Sequence, residues 1–224
     1  MELYEALYTT RAMRRVRPDP IPLEVQARIL DAAVRAPSGG NQQNWRFLVV
    51  DDPAVKARLG PLYRDAMALL WRDYYAPQLQ AARERPDDPE SIQFLRIQRS
   101  AQHLADHFEY VPLYLFAFAQ NDPGGSSIYP AVWSAMLAAR AEGIGSCLTQ
   151  VLVFRGQEAM EVLEVPPDEH WIMSACVSFG YPTGRWGVAA RRPVHEVSSR
   201  NRWNGELGID IPVPLWSPGE GQSI

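Results

Sequence analysis

Two apolar runs constrain this chain most. Val111 to Ala119 and Ile172 to Phe179 are nearly unbroken, the second interrupted only by Ser174 and Ser178. Each is far shorter than the roughly 20 residues that span a bilayer, and each suits a buried strand. Trp45 to Val50 is a further segment of strand formers. The strands are separated by long helical stretches, and no Asn-Gly-type signal joins two of them as a hairpin. That order predicts α+β or α/β packing around a mostly antiparallel or mixed sheet.

The intervening segments fill in the order. A short helix is expected from Glu2 to about Thr9, followed by an extended segment from Thr10 to Pro20. A helix opening at Pro22 should stop near Pro37. Pro53 should start another helix, and Pro61 one more, running to about Arg83. Ser91 or Glu90 can cap a helix to about Phe108. Ile128 to Glu142 has helical spacing and ends at Gly143, a C-cap residue. Ser146 to Phe154 reads as extended, Gln157 to Leu163 as helical and Trp171 to Gly180 as a strand. The tail from Pro182 is rich in Gly, Pro, Arg and Trp and has little periodicity.

Composition narrows the function. The net charge of −4 argues against a nucleic-acid binder driven by a positive field. Two cysteines, Cys147 and Cys176, exclude a disulfide framework and a four-cysteine zinc site. His103 and His107 have metal-compatible spacing, yet no third ligand is evident, so no metal is expected. The acidic start Met1-Glu2-Leu3-Tyr4-Glu5 has no signal-peptide core. A soluble, cytoplasmic protein without a membrane or nucleic-acid partner is the expectation. Of 22 basic residues only Lys56 is a lysine. Arginine grips phosphate or carboxylate with a planar fork, so the arginine positions matter.

Three constellations could carry chemistry. Arg11-Ala12-Met13-Arg14-Arg15-Val16-Arg17 places four arginines in an extended segment, where Arg11 and Arg15 share a side. Ala36-Pro37-Ser38-Gly39-Gly40-Asn41-Gln42-Gln43-Asn44-Trp45 joins a helix to a strand through glycines and four side-chain amides. Such residues allow close approach of a heterocycle edge that donates and accepts hydrogen bonds. Gly143-Ile144-Gly145-Ser146-Cys147-Leu148-Thr149 follows a helix rather than a strand, so it fails the context of a Rossmann fingerprint. The G-x-S-x-G elbow of α/β-hydrolases is absent.

Taken in order, these motifs resemble the FMN-dependent nitroreductase superfamily, in particular the branch of iodotyrosine deiodinase and BluB-like proteins. Arg11-Ala12-Met13-Arg14-Arg15 resembles its N-terminal Arg-x-Ser-x-Arg/Lys element. Ala36 to Phe47 resembles A-P-S-x-x-N-x-Q-P-W-x-F. Ala138 to Ser146 resembles its helix ending in a Gly-Leu-Gly turn, and Phe179-Gly180-Tyr181-Pro182 with Arg191-Arg192-Pro193-Val194 completes the set.

The resemblance implies an α+β, three-layer homodimer with a central, mainly antiparallel mixed sheet flanked by helices and FMN at the subunit interface. It implies a single domain over residues 1–224, with a variable lid-like segment at about 62–110 and an arm at about 183–224. It places cofactor contacts on Arg11, Ala12, Met13 and Arg15, on Pro37, Ser38, Gly39 and Asn41, on Leu148, Thr149 and Gln150, and on Arg191. Trp71, Tyr74 and Tyr75 become substrate or lid candidates. No side chain is expected to be catalytic, because the chemistry lies on flavin N5. The implied activity passes electrons from NADH or NADPH to an electron-poor small organic acceptor, nitroaromatic or quinone, by a ping-pong mechanism. Flavin binding without turnover, reductive dehalogenation and flavin degradation remain open.

Three positions depart from the pattern. Met13 replaces serine, Asn44 replaces proline, and Trp133-Ser134 replaces a Gln-Asn pair. The deiodinase's substrate-clamping Glu, Tyr and Lys have no clear counterpart, which disfavours iodotyrosine as substrate.

Overall fold

Strict alternation along one central strand organises the molecule. The computed structural model describes residues 1–217. Four strands, β1 (Trp45–Val50), β2 (Leu113–Ala119), β3 (Gly145–Thr149) and β4 (Ile172–Gly180), pair antiparallel in the order β1-β2-β4-β3. Every residue of β2 is buried, which explains its unbroken apolar run. Tyr114, Phe116 and Phe118 enter one hydrophobic cluster, while Leu113, Leu115, Ala117 and Ala119 enter the other.

Helices supply the two outer layers. α2 (Leu23–Ala33) and α6 (Ile128–Ala141) cover the Leu113 face; α3 (Pro53–Leu69), α5 (Pro89–Asp106) and α7 (Gly156–Val162) cover the Tyr114 face. α1 (Leu3–Thr9) precedes them in the chain, and α4 (Ala76–Glu84) lies between α3 and α5 in sequence. The α+β class and the antiparallel sheet follow expectation. An isolated parallel bridge, Ala12 to Ser146, adds the mixed element.

Several boundaries differ, for physical reasons. Pro61 does not start a helix but lies inside α3. Both Pro61 and Ala57, whose carbonyl it cannot bond, are exposed, so water can satisfy that oxygen. A π-helical turn, Leu70–Tyr74, then separates α3 from α4. The cap of α5 is Asp88, which accepts from Ser91 N–H at 2.9 Å, with Pro89 in the first turn. Beyond Thr149 the extended chain gives way to a 3-10 turn at Val151–Arg155.

Two compact units divide the chain. One is Ala12–Gly184, holding the sheet; the other joins Met1–Arg11 to the segment from Arg185 onward. In the terminal unit, Ala189 N–H donates to Tyr8 O at 3.2 Å, and the Tyr8 and Trp216 rings lie 5.7 Å apart. Of the segment expected as an arm, about 183–224, the described residues from Arg185 onward fall in this unit, together with Met1–Arg11; its last seven positions lie outside the described residues. No helix among the described residues is long and apolar enough to cross a membrane.

Candidate functional site

The arginine segment is fixed by two facing glycines. Gly145 and Gly180 pair across β3 and β4. A Cβ on Gly145 would lie 2.8 Å from Met13 Cβ, and one on Gly180 would lie 2.7 Å from Val16 Cβ. The absence of those two side chains lets the segment lie against the strand ends. Met13 N–H donates to Ser146 O at 2.9 Å, Arg17 N–H to Tyr181 O at 2.8 Å, and Thr183 N–H to Arg15 O at 3.0 Å.

This arrangement sorts the segment's side chains. Met13 is buried, and its N–H is already bonded to the sheet. Ala12 and Arg15 face solvent. Arg15 Nη1 donates to His103 Nδ1 at 3.1 Å, and Arg14 Nη1 reaches Ser100 Oγ at 3.4 Å, both partners lying on α5. Arg17 lies over the Tyr181 ring at 5.3 Å. Arg11 belongs to the terminal unit, where its Nη2 donates to Arg185 O at 3.0 Å. Arg191 lines a cavity of about 500 Å³ in the same unit, and its Nη1 donates to Ala190 O.

The amide loop connects α2 to β1. Pro37 and Ser38 lead into a short 3-10 turn, Gly39–Asn41. Gly40 (φ 57°), Asn41 (φ 54°) and Gln43 (φ 52°) are left-handed, the conformation glycine and asparagine tolerate best. Ser38 Oγ accepts from Gln43 N–H at 3.1 Å, and Gly39 N–H donates to Ser127 Oγ at 3.3 Å. Gln43 Nε2 bonds Asn41 Oδ1 at 3.1 Å, and Asn44 Nδ2 bonds Gln42 Oε1 at 3.1 Å. The loop and the start of α6 bound a cleft of about 200 Å³. Asp122 holds that helix start: its carboxylate accepts from Ser127 and Ile128 N–H and from Ser126 Oγ. Burial raises its pKa, but these donors outweigh burial and pull it below the ordinary carboxylate value.

The end of β3 presents three expected residues in different ways. Leu148 is half-buried. Thr149 is buried, and its hydroxyl is bonded to Tyr63 at 3.1 Å and to Val151 N–H. Gln150 is exposed, and its Nε2 donates to Tyr129 OH at 2.6 Å and to Ser174 O at 3.1 Å. That carbonyl is available because the β2–β4 register shifts at Ala117/Phe118, leaving Ser174 unpaired in the ladder. Tyr129 OH also donates to Ser174 O at 3.2 Å, so sequence reasoning missed Tyr129 as a neighbour of Gln150.

Two of the aromatic candidates, Trp71 and Tyr74, lie in the π-helical turn, and Tyr75 follows it. Trp71 packs against the core and lies 5.4 Å from the Tyr75 ring and 6.4 Å, edge-on, from Phe94. Its ring N–H is buried without a protein acceptor. Tyr74 is 60% exposed and lies 5.2 Å from Phe154. Phe94 and Phe154 belong to this cluster but had no sequence signal beyond being aromatic.

A four-stranded antiparallel sheet between two helical layers, with a cationic N-terminal segment tied across its edge, defines an α+β protein of the nitroreductase type. The chain belongs to the Nitroreductase family, whose profile matches residues 7–181. It is 30% identical over 189 residues to a 5,6-dimethylbenzimidazole synthase of Rhodobacter capsulatus, covering 78% of this chain and 82% of the relative. It is also 30% identical over 192 residues to an NADH dehydrogenase of Thermus thermophilus, covering 84% and 90%. A solved iodotyrosine deiodinase bound to FMN and 3-iodo-L-tyrosine superposes with a TM-score of 0.71 over 90% of this chain and all of that one. At 22% identity that likeness shows the fold.

Proposed function

We propose that this protein is an FMN-dependent oxidoreductase that passes electrons from NAD(P)H to an electron-poor small organic acceptor of nitroaromatic or quinone type. The observation that carries the reading is Arg15. It is an exposed guanidinium on a segment anchored to the sheet, and no carboxylate pairs with it among the described residues. The remaining residues fit a flavin. A Cβ at Gly39 would meet nothing within 4 Å, so backbone there is open to a planar ring. The amides of the loop keep donors and acceptors at the surface for a pyrimidine edge.

The chemistry supplied by bound FMN is hydride acceptance at N5 from NAD(P)H, then delivery of the electrons to the acceptor, in ping-pong order. This chain's residues bind and orient. Arg15 supplies a fixed positive charge for the pyrimidine side, where negative charge develops on reduction. Ala12 and the surface of Met13 would pack beside the ribityl chain, Met13 N–H being used by Ser146. Pro37, Ser38, Gly39 and Asn41 would meet the ring of a flavin held by a second subunit in a homodimer. Leu148, Thr149 and Gln150 would line the ring near N5, Thr149 through its backbone because its hydroxyl is committed to Tyr63. Arg11 and Arg191 of the terminal unit are phosphate ligands in this reading. Trp71, Tyr74 and Tyr75 would cover the acceptor.

Purified protein should be yellow and should bleach anaerobically with NADH or NADPH. Protein that stays colourless after incubation with FMN sinks the reading. Arg11→Ala and Arg191→Ala should each weaken FMN by about 1.5–3 kcal/mol, as for a charged hydrogen bond. Unchanged flavin retention on dialysis of both variants would remove them from the phosphate site.

A second reading is favoured by the identity to the dimethylbenzimidazole synthase. That compound contains a dimethyl-substituted benzene ring, as flavin does, so flavin degradation is the alternative. Loss of the flavin spectrum in air, beyond simple reoxidation, would select it.

A further inference from the structure

We propose that Arg14, Arg15, His103 and His107 form an oxyanion-binding cleft in which His103 gains a proton as the anion enters. The cleft has a volume of about 240 Å³ and lies wholly within the sheet-bearing unit. Its walls are those four residues with Val16, Tyr110, Val111 and Thr183. No carboxylate lines it, and neither arginine has an ion-pair partner among the described residues. Two guanidiniums facing one apolar-floored space lack the negative charge that would balance them, and two imidazoles stand beside them. The proposal goes beyond the flavin reading and shares only Arg15 with it.

The geometry fixes the protonation states. Arg15 Nη1 can only donate, so His103 Nδ1 at 3.1 Å must be an acceptor and the ring neutral. His107 Nδ1 lies 3.0 Å from the His103 carbonyl and therefore carries its proton there. The two rings stack with centroids 4.1 Å apart, so two imidazolium charges would repel at close range. Burial first, then Arg15 and His107, hold the His103 pKa below its ordinary value, with Asp106 on the same helix opposing. The groups facing His103 are thus Arg14 and Arg15 from the N-terminal segment and Asp106, His107 and Tyr110 from α5 and the turn after it.

An oxyanion changes this balance. Arg15 can turn its fork from a neutral imidazole to a charged acceptor, a stronger bond. His103 then loses its donor, feels a neighbouring negative charge, and protonates more readily. Proton and anion therefore bind cooperatively, each raising the affinity for the other. The small volume admits a phosphate or carboxylate group with a short apolar body, not a whole dinucleotide. A flavin's own phosphate and an independent small anion share this chemistry.

The test is a histidine titration of the full chain by NMR, with His103 assigned through His103→Gln. Sulfate is the probe because its charge is constant over the range, and chloride at equal ionic strength is the control. Sulfate should raise the His103 pKa, and its affinity should increase severalfold as pH falls through that pKa. Arg15→Gln should abolish the shift, with Arg14→Gln as a second variant if the first folds poorly. Repeating the titration on FMN-loaded protein identifies the source. A persisting sulfate response shows a separate anion site; a raised pKa with FMN alone and no further sulfate response assigns the cleft to the flavin phosphate and takes that role from Arg11 and Arg191. A sulfate response in protein that cannot bind FMN would leave this proposal standing while the oxidoreductase reading fails. An unmoved His103 pKa in both forms, or an equal response in the arginine variants, overturns it.

Discussion

The arginine segment and the amide loop are held by opposite means. The arginine segment is part of the sheet's edge: Met13 and Val16 fill the spaces left by Gly145 and Gly180, and three backbone hydrogen bonds tie it to Ser146 on β3 and to Tyr181 and Thr183 just after β4. The amide loop is exposed from Gly39 to Gln43 and meets the body through Gly39 N–H to Ser127 Oγ, on a turn organised by Asp122, and at its far end through Gln120 N–H to Asn44 O. One half of the candidate site is therefore anchored by its backbone to the sheet. The other is as adjustable as a surface turn, which suits a face that closes on a ligand.

The contrast breaks most violently at Gly180. A Gly180→Val side chain would start 2.7 Å from Val16 Cβ. Overpacking there should cost about 1–3 kcal/mol and expel the segment from the strand ends. Chemical denaturation should show the loss, and flavin retention should fall with it. Wild-type stability together with full flavin retention would show that the segment is not anchored as described.

The next effect is smaller and falls on the other region. Asp122→Ala removes the acceptor for Ser127 and Ile128 N–H and should cost about 1 kcal/mol, as for a lost helix cap. The depressed folded pKa sets the pH behaviour. The contribution is fully present above the unfolded carboxyl pKa and is lost as pH falls through the lower folded value. Acid below the ordinary carboxylate range should therefore loosen the amide loop before the arginine segment. Hydrogen exchange of Gly39 N–H against Met13 N–H measures this order; simultaneous loosening would refute it.

How much of this was legible depended on whether a feature is local. β2 was legible because its burial on both faces writes itself as an apolar run, and α6 because Gly143 ends it. The amide loop was legible by composition. Pro61 was misread because its tolerance depends on which side of α3 faces water. The burial of Met13 was hidden because it follows from the missing side chain of Gly145, far away in sequence. The His103 partner of Arg15 is 88 residues distant, and the i, i+4 histidine pair suggested only metal spacing. The bulge that exposes Ser174 O to Gln150 and Tyr129 arises from register, which no single strand encodes.

The smallest expected effect on stability is the one that separates the regions most cleanly. Asn41 is exposed and sits at φ 54°, where alanine would add backbone strain. Asn41→Gly avoids that strain and deletes only the amide. Its bond with Gln43 is exposed, so the change in stability should stay within about 0.5 kcal/mol. If the loop serves to contact a ligand rather than to hold the fold, flavin retention should still drop severalfold. Loss of stability without loss of flavin would make the amides structural and confine the site to the arginine segment. Loss of flavin at constant stability would show that the adjustable region, not only the anchored one, recognises the cofactor.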